Sequence, residues 1–420
     1  MSLFINNHKN IFIVFSIIFI IYCIYLSITF LIQTLKELSS LSKSKKQVTL
    51  KNKLNHSYYV PLSILVATHN NEDSIIDSVS SLLDLNYKLY EIIVIDDNST
   101  DQTVEHLIKE FHLKKIKRPI RNQLKTKNVK EVYQTINSNI KITLLKKEHG
   151  GKADAFNVGI NVSSYPYFTC IDSNYLVEEN TIENLASPIL EEDKVVMSQK
   201  LVRVGSIELK NKNLKYNFPK SFLEKGQVLE YDKIAQNNQK ELPSFVIFKK
   251  DIVLASLGFD SNCIGENFEL IKKIKHNSQN KEKKAVFKYQ PHAIASIKVS
   301  SKLSEFVSTR RKYTKGLLQI KSKFLYFVNL LKLLGFINLV MCCYLQFIDT
   351  KLVLLFLGSS LLFYGCLSYC NFIIKLTFEN VKISLLDILK TISASLIEVV
   401  ILNPLIFFAN ITYFFKKKEI

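Results

Sequence analysis

"EIIVIDDNSTDQTVEHLIKEF", residues 91–111, decides the fold class. Its apolar run, Ile92 to Ile95, ends in two adjacent carboxylates, Asp96 and Asp97. A helical pattern starts a few residues later, with Ser99 or Thr100 placed to cap it. A strand without polar alternation is buried on both faces, and a helix that follows it at once covers one of them. The stretch predicts one strand–helix unit of an α/β sheet.

The same unit recurs on either side. "SILVAT" (63–68) precedes a helical run with Ile75, Ile76, Val79, Leu82 and Leu83 on one face. "KITLLK" (141–146) precedes a helix from about Lys152, and "YFTCIDS" (167–173) continues the series. Alternation of this kind predicts a mostly parallel sheet covered by helices on both sides. In such sheets ligands sit beyond the carboxyl ends of the strands. Polar residues gather at those ends: Thr68 to Asn70, Asp96 and Asp97, His149 to Lys152, and Asp172 to Asn174.

Composition limits what surrounds this domain. The chain has 420 residues, mean hydropathy of +0.10 and 22% charged residues, a mixture rather than a uniformly soluble profile. Residues 11–33 carry no charge, and 23 residues at about 1.5 Å each cross a bilayer. The run is too long for a signal peptide and lacks a small-residue cleavage site. Residues 333–348, 352–374 and 392–415 are further candidate spans. Lys36, Lys43, Lys45, Lys46, Lys51 and Lys53 against Glu37 alone predict that residues 36–320 face the cytoplasm. The expected order is an anchor (1–35), a basic juxtamembrane linker (36–58), an α/β domain (59–300), a basic interfacial segment (301–324) and a C-terminal transmembrane region (325–420).

The net charge of +19 raises nucleic-acid binding, but no recognition motif accompanies the dispersed lysines. Residues 114–130, read as a loop, hold eight basic residues and no acid, which suits an anionic membrane surface. Seven cysteines without CxxC spacing argue for a reduced compartment, with neither disulfides nor zinc.

Six stretches carry a resemblance: "VPLSILVATHNNEDSI" (60–75), "EIIVIDDNSTDQT" (91–103), "HGGKADAFNVGI" (149–160), "FTCIDSN" (168–174), "LGFDSNCIGENFEL" (257–270) and "STRRKYTKGLLQ" (308–319). In this order, residues 59–320 resemble a membrane-bound family 2 glycosyltransferase, the group that includes poly-N-acetylglucosamine, cellulose and hyaluronan synthases. The resemblance implies a GT-A type nucleotide-sugar-binding domain flanked by transmembrane helices. It implies an inverting transfer from a UDP-sugar to a glycan or lipid-linked acceptor, assisted by Mg2+ or Mn2+. An integral protein of a bacterial inner or plasma membrane follows, with accessory subunits of a polysaccharide export system as partners and no nucleic acid.

By the same resemblance, Thr68, Asn70, Asp96, Asp97, Lys152, Asn157, Asp172 and Asn174 form the nucleotide-sugar set, with Asp172 and Asn174 on the metal. Strand alternation places positions 172 and 174 on one side. Three departures from the family pattern touch the chemistry. Asn174 stands where the family has a second aspartate; its amide oxygen can ligate but brings no charge. Asn267 stands where the family has the aspartate that takes the acceptor's proton, and an amide lacks the basicity. Glu266 can substitute if the backbone turns it into the site, and Glu269 is the weaker candidate. Thr309, Arg310, Arg311, Lys312 and Tyr313 replace Gln-x-x-Arg-Trp, which binds acceptor and diphosphate. Tyr313 keeps an aromatic face and Lys312 a charge, though not a bidentate one. Two readings stand: an active transferase, or a catalytically impaired homologue that binds nucleotide or glycan or supports a partner.

Overall fold

A computed structural model describes residues 59–190, 245–263 and 265–277 with their side chains, the helix ends at 191 and 278–279, and the strands between 195 and 217 and between 286 and 298. Isolated positions in 13–35, 221–227, 295–312 and 351–358 are also described. The chain divides into two units. One comprises Ser44–Asn217 and Asn237–Lys298; the other comprises Met1–Lys43, Phe218–Gln236 and Val299–Ile420.

The first unit is built on four parallel strands. These are β1 (Leu62–Thr68), β2 (Tyr90–Asp96), β5 (Lys141–Lys147) and β6 (Tyr167–Asp172), ordered β5-β2-β1-β6. Register brings Thr68 level with Asp96, and Ala67 level with Asp172, so the carboxyl ends finish together. Outside this centre the pairing is mixed. β3 (Lys114–Ile116) and β4 (Val129–Gln134) extend one side by antiparallel pairs. On the other side follow β10 (Val246–Lys249), β8 (Val195–Lys210), β11 (Val286–Lys298) and β7 (Tyr175–Val177), with β9 (Asn213–Asn217) paired to β8.

The central strands read as continuous apolar runs because both faces are covered. Leu62, Ile64, Val66, Ile92 and Val94 point into one core with α1 (Ile75–Leu83), α2 (Thr103–Glu110) and α4 (Thr181–Glu191). Leu65, Ile93 and Ile95 point into the other, with α3 (Lys152–Val162), α5 (Lys250–Ala255) and α6 (Glu266–Gln279). Each of these strand side chains is fully buried, and burying one such side chain is worth roughly 1.5–3 kcal/mol. Helix α3 is buried all round, unlike an ordinary amphipathic surface helix. A segment of the basic stretch covers it: Asn161 accepts from the Leu124 N–H and donates to the Leu124 carbonyl, and Arg118 donates to the Val162 carbonyl.

Two local expectations change. Both ends of the stretch read as a loop, 114–130, are strands, the lysines lying on edge strand β3 where charge discourages further pairing. Neither Ser99 nor Thr100 caps α2, which begins at Thr103 after Gln102. Both residues instead join the loop after β2 to the loop after β1: Asn70 N–H donates to Ser99 Oγ, and Thr100 N–H to Asn70 Oδ1.

In the second unit, the described positions between 13 and 35 are helical. Val14, Ile17, Ile18, Ile21, Ile24, Tyr25, Ile28, Leu31, Ile32 and Leu35 are all exposed there. Among the described residues no helix is long and apolar enough to cross a membrane. The three C-terminal candidate spans lie almost wholly outside the described residues.

Candidate functional site

The site forms where β1, β2, β5 and β6 end. Asp97 is its most heavily bonded group. The N–H groups of Gly150 and Gly151 donate to Asp97 Oδ1 and Oδ2 at 2.9 and 2.8 Å. Lys147 Nζ lies 2.5 Å from Asp97 and 2.7 Å from Asp154, with no exposed side-chain surface of its own. Lys147 also donates to the Glu148 carbonyl. The glycine-rich turn is therefore closed around an internal carboxylate, which takes both glycine N–H groups. Gly151 adopts φ of 84°, the left-handed region where glycine is unstrained. A Cβ at Gly150 would lie 2.5 Å from Asp154 Oδ2.

The neighbouring groups of the set are committed in similar ways. Asp96 is fully buried and accepts the Ser99 N–H. Burial pushes its carboxyl up, and the bonds from Ser99 offset this only in part. Thr68 is buried, and among the described residues its Oγ1 has no hydrogen-bond partner. Asn157 clamps Phe259 from both sides, donating to its carbonyl and accepting its N–H, each at 2.9 Å. This secures the segment that leads to α6. His69 and His149 face each other across the strand ends with ring centroids 5.1 Å apart, and both Nδ1 atoms approach the Asp97 carbonyl.

Lys152, the first residue of α3, joins two carboxylates, Asp172 and Glu266. Its Nζ lies 2.8 Å from Asp172 Oδ1, 3.0 Å from Asp172 Oδ2 and 2.7 Å from Glu266 Oε1. Glu266 opens α6, is buried, and is turned into the site by the chain that Asn157 holds. Burial draws the Lys152 ammonium down, but Asp172 and Glu266 more than reverse this and hold it well above the ordinary lysine range. Lys152 also stands 5.7 Å from the Phe156 ring centroid.

The remaining expected residues are placed less centrally. β6 ends at Asp172, and Ser173 and Asn174 form a turn, so strand alternation does not extend to Asn174, which is exposed. Ser173 fixes that turn by accepting from Asn71 Nδ2. Asn267 is partly buried on α6, and Glu269 pairs with Lys273 at 3.0 Å. Lys312 is exposed; Arg310, Arg311 and Tyr313 lie outside the described residues.

The fit to a divalent ion follows from the donor set. Among the described residues no group of three or more histidine, cysteine, aspartate or glutamate side chains is placed to hold a metal. A Mg2+ site commonly needs only one or two carboxylates when substrate phosphates complete it. Asp172, with the Asn174 amide in the adjoining turn, fits an ion of that kind and no all-protein cage.

Residues 63–131 and 124–254 match Glycosyl transferase family 2. The stretch from 63 to 254 is thus similar to family 2 glycosyl transferase domains. Poly-beta-1,6-N-acetyl-D-glucosamine synthase of Staphylococcus aureus (strain MSSA476) is 26% identical over 268 residues, covering 61% of this chain and 54% of that protein. The protein of the same description from Staphylococcus epidermidis is 26% identical over 276 residues, covering 63% and 56%. The chain thus spans about half the length of the curated relatives it matches. Among solved structures, a mannosyltransferase from Pyrobaculum calidifontis in complex with GDP-Man and Mn2+ aligns with a TM-score of 0.47 at 13% identity, over 94% of this chain and 98% of that one.

Lys147, at the end of β5, and Asp154, in the first turn of α3, are the residues around Asp97 that sequence reasoning missed.

Proposed function

We propose that the chain is a membrane-bound glycosyltransferase that moves a sugar from a UDP-sugar onto a growing polysaccharide or glycan, with inversion. One observation carries the reading: Glu266, the residue beside Asn267, is turned to within 2.7 Å of Lys152, which also holds Asp172. A carboxylate, an ammonium and a second carboxylate thereby converge beyond the strand ends of a family 2-like domain. This favours the active transferase over the impaired homologue, because a basic oxygen takes the place that Asn267 cannot fill.

In this reading Glu266 accepts the proton of the acceptor hydroxyl. The acceptor oxygen bonds to the anomeric carbon as that carbon's bond to the diphosphate breaks, and UDP leaves with the electron pair. Lys152 supplies positive charge to the departing diphosphate. Asp172, with Asn174 assisting, would hold a Mg2+ or Mn2+, which would supply Lewis-acid neutralisation there. Thr68, Asn70, Asp96, Asp97 and Asn157 shape the nucleotide end. Arg310, Arg311, Lys312 and Tyr313 serve the acceptor and the diphosphate.

The exposed apolar side chains at the described helical positions between 14 and 35 support an integral membrane location. A bacterial inner or plasma membrane, a cytoplasmic catalytic domain, the five segments set out from the sequence, and accessory export subunits belong to the same proposal. The test is UDP release from membranes containing the full chain, with several UDP-sugars and Mn2+. Glu266→Gln is expected to lower it by roughly 10²–10⁴-fold, the usual worth of a general base. Asn267→Asp is expected to raise it. Turnover that Glu266→Gln leaves unchanged removes Glu266 as the base.

A further inference from the structure

Both oxygens of Asp172 lie against the Lys152 ammonium, at 2.8 and 3.0 Å. The same ammonium holds Glu266 at 2.7 Å. One cation therefore occupies the carboxylate meant for the metal and the carboxylate meant for the acceptor's proton. Lys152 belongs to α3, whose burial all round fixes the backbone, so only the side chain can leave. Its side chain is 43% exposed.

Charge decides when it leaves. Two carboxylates and one ammonium leave the cluster with a single negative charge. Asn174 and Asn267 add nothing to it. A divalent ion alone would turn this into a net positive charge beside a lysine, which like-charge repulsion disfavours. A sugar-linked diphosphate brings two negative charges and restores the original balance. It also offers the ammonium oxygen acceptors equivalent to those it gives up.

We propose that Lys152 and a divalent cation compete for Asp172, so that the metal enters together with the nucleotide diphosphate, which draws Lys152 off Asp172 and Glu266 in one movement. This rests on the nucleotide-sugar reading of the site. Donor binding thereby does two things: it loads the metal and uncovers the base. Glu266 is available to an acceptor only once donor is in place.

The experiment titrates Mn2+ into the full chain in nanodiscs and reads free Mn2+ by electron paramagnetic resonance, with and without UDP. For the wild type, UDP is expected to tighten Mn2+ binding by about tenfold or more, within the usual range of coupling between sites. Reciprocity requires Mn2+ to tighten UDP binding by the same factor. Lys152→Met is expected to bind Mn2+ alone about tenfold more tightly than the wild type and to lose most of the coupling. Lys152→Arg retains the cation and is expected to behave as the wild type. Thermal melts check that each variant folds, and Lys152→Gln replaces the methionine variant if that one does not. Mn2+ binding to Lys152→Met or Lys152→Gln that is no tighter than to the wild type overturns the proposal. Absence of UDP binding to the wild type, with or without Mn2+, instead overturns the nucleotide-sugar reading, and the Mn2+-only comparison still decides the competition.

Discussion

Lys147 shows how much of the site depends on a residue that touches no substrate in the proposed mechanism. It is fully buried between Asp97 and Asp154. Lys147→Met would leave both carboxylates without their cation, and breaking a buried pair in this way costs about 3–5 kcal/mol. Denaturant melts of the variant are expected to show that loss; a loss under about 1 kcal/mol would mean the triad is worth no more than a surface pair. Lys152 is held by a different pair of carboxylates, Asp172 and Glu266. Its folded pKa is raised, so its stabilising contribution is complete below the ordinary lysine value of 10.5 and is lost only as pH rises through the higher folded value. The difference in melting temperature between wild type and Lys152→Met is therefore expected to stay constant between about pH 6 and 9, above the carboxylate range and below the lysine range. A step in that interval would show that the ammonium is not held as described. Sequence patterns revealed Lys152, since it follows two glycines after a strand. They did not reveal Lys147, because a lysine that ends an apolar strand resembles a solvated terminus.

At the scale of elements, the strands and the helices after them were legible because burial on both faces leaves an unmistakable apolar run. The direction of α6 was not legible. It depends on how residues 257–265 enter the helix, and that path is set by Asn157, on α3, reaching Phe259. Gly258 makes the entry possible: its φ is 67°, and a Cβ there would lie 2.6 Å from Asn157 Oδ1. Gly258→Ala is expected to cost about 1–2 kcal/mol from the left-handed backbone, and more from the displaced amide. The informative measurement pairs stability with UDP release. Turnover falling further than in an equally destabilised variant elsewhere would show that Glu266 has been moved. Equal falls would reduce the glycine to a purely structural role. Asn174 was read as a weakened metal ligand from strand alternation, and that geometry misled, since β6 stops at Asp172 and a turn has no such period.

At the scale of the whole molecule, a concentration of basic charge among the described residues lies in 114–130. Lys114, Lys115, Lys117, Arg121, Lys125, Lys127 and Lys130 are exposed, and among the described residues a salt bridge is formed by Lys115, with Glu131. The segment that carries them is anchored, with Leu124 buried beneath it and held by Asn161. It therefore presents its charges from a fixed backbone, so an anionic surface can bind it with little loss of conformational entropy. Each lysine or arginine near an anionic leaflet is worth about 1 kcal/mol, and the attraction fades beyond the Debye length of about 8 Å at physiological salt. Backbone amides of residues 117–128 are thus expected to exchange hydrogen more slowly when the full chain sits in nanodiscs with anionic lipid than in zwitterionic ones. Raising salt to about 1 M, where the Debye length is about 3 Å, should remove the difference. So should the triple variant Lys117→Gln, Arg121→Gln and Lys125→Gln. Protection that is the same in both lipids would mean that the ridge meets no bilayer. In that case its charge would serve a nearer anion, because Lys127 N–H already bonds Asp154 beside the glycine turn.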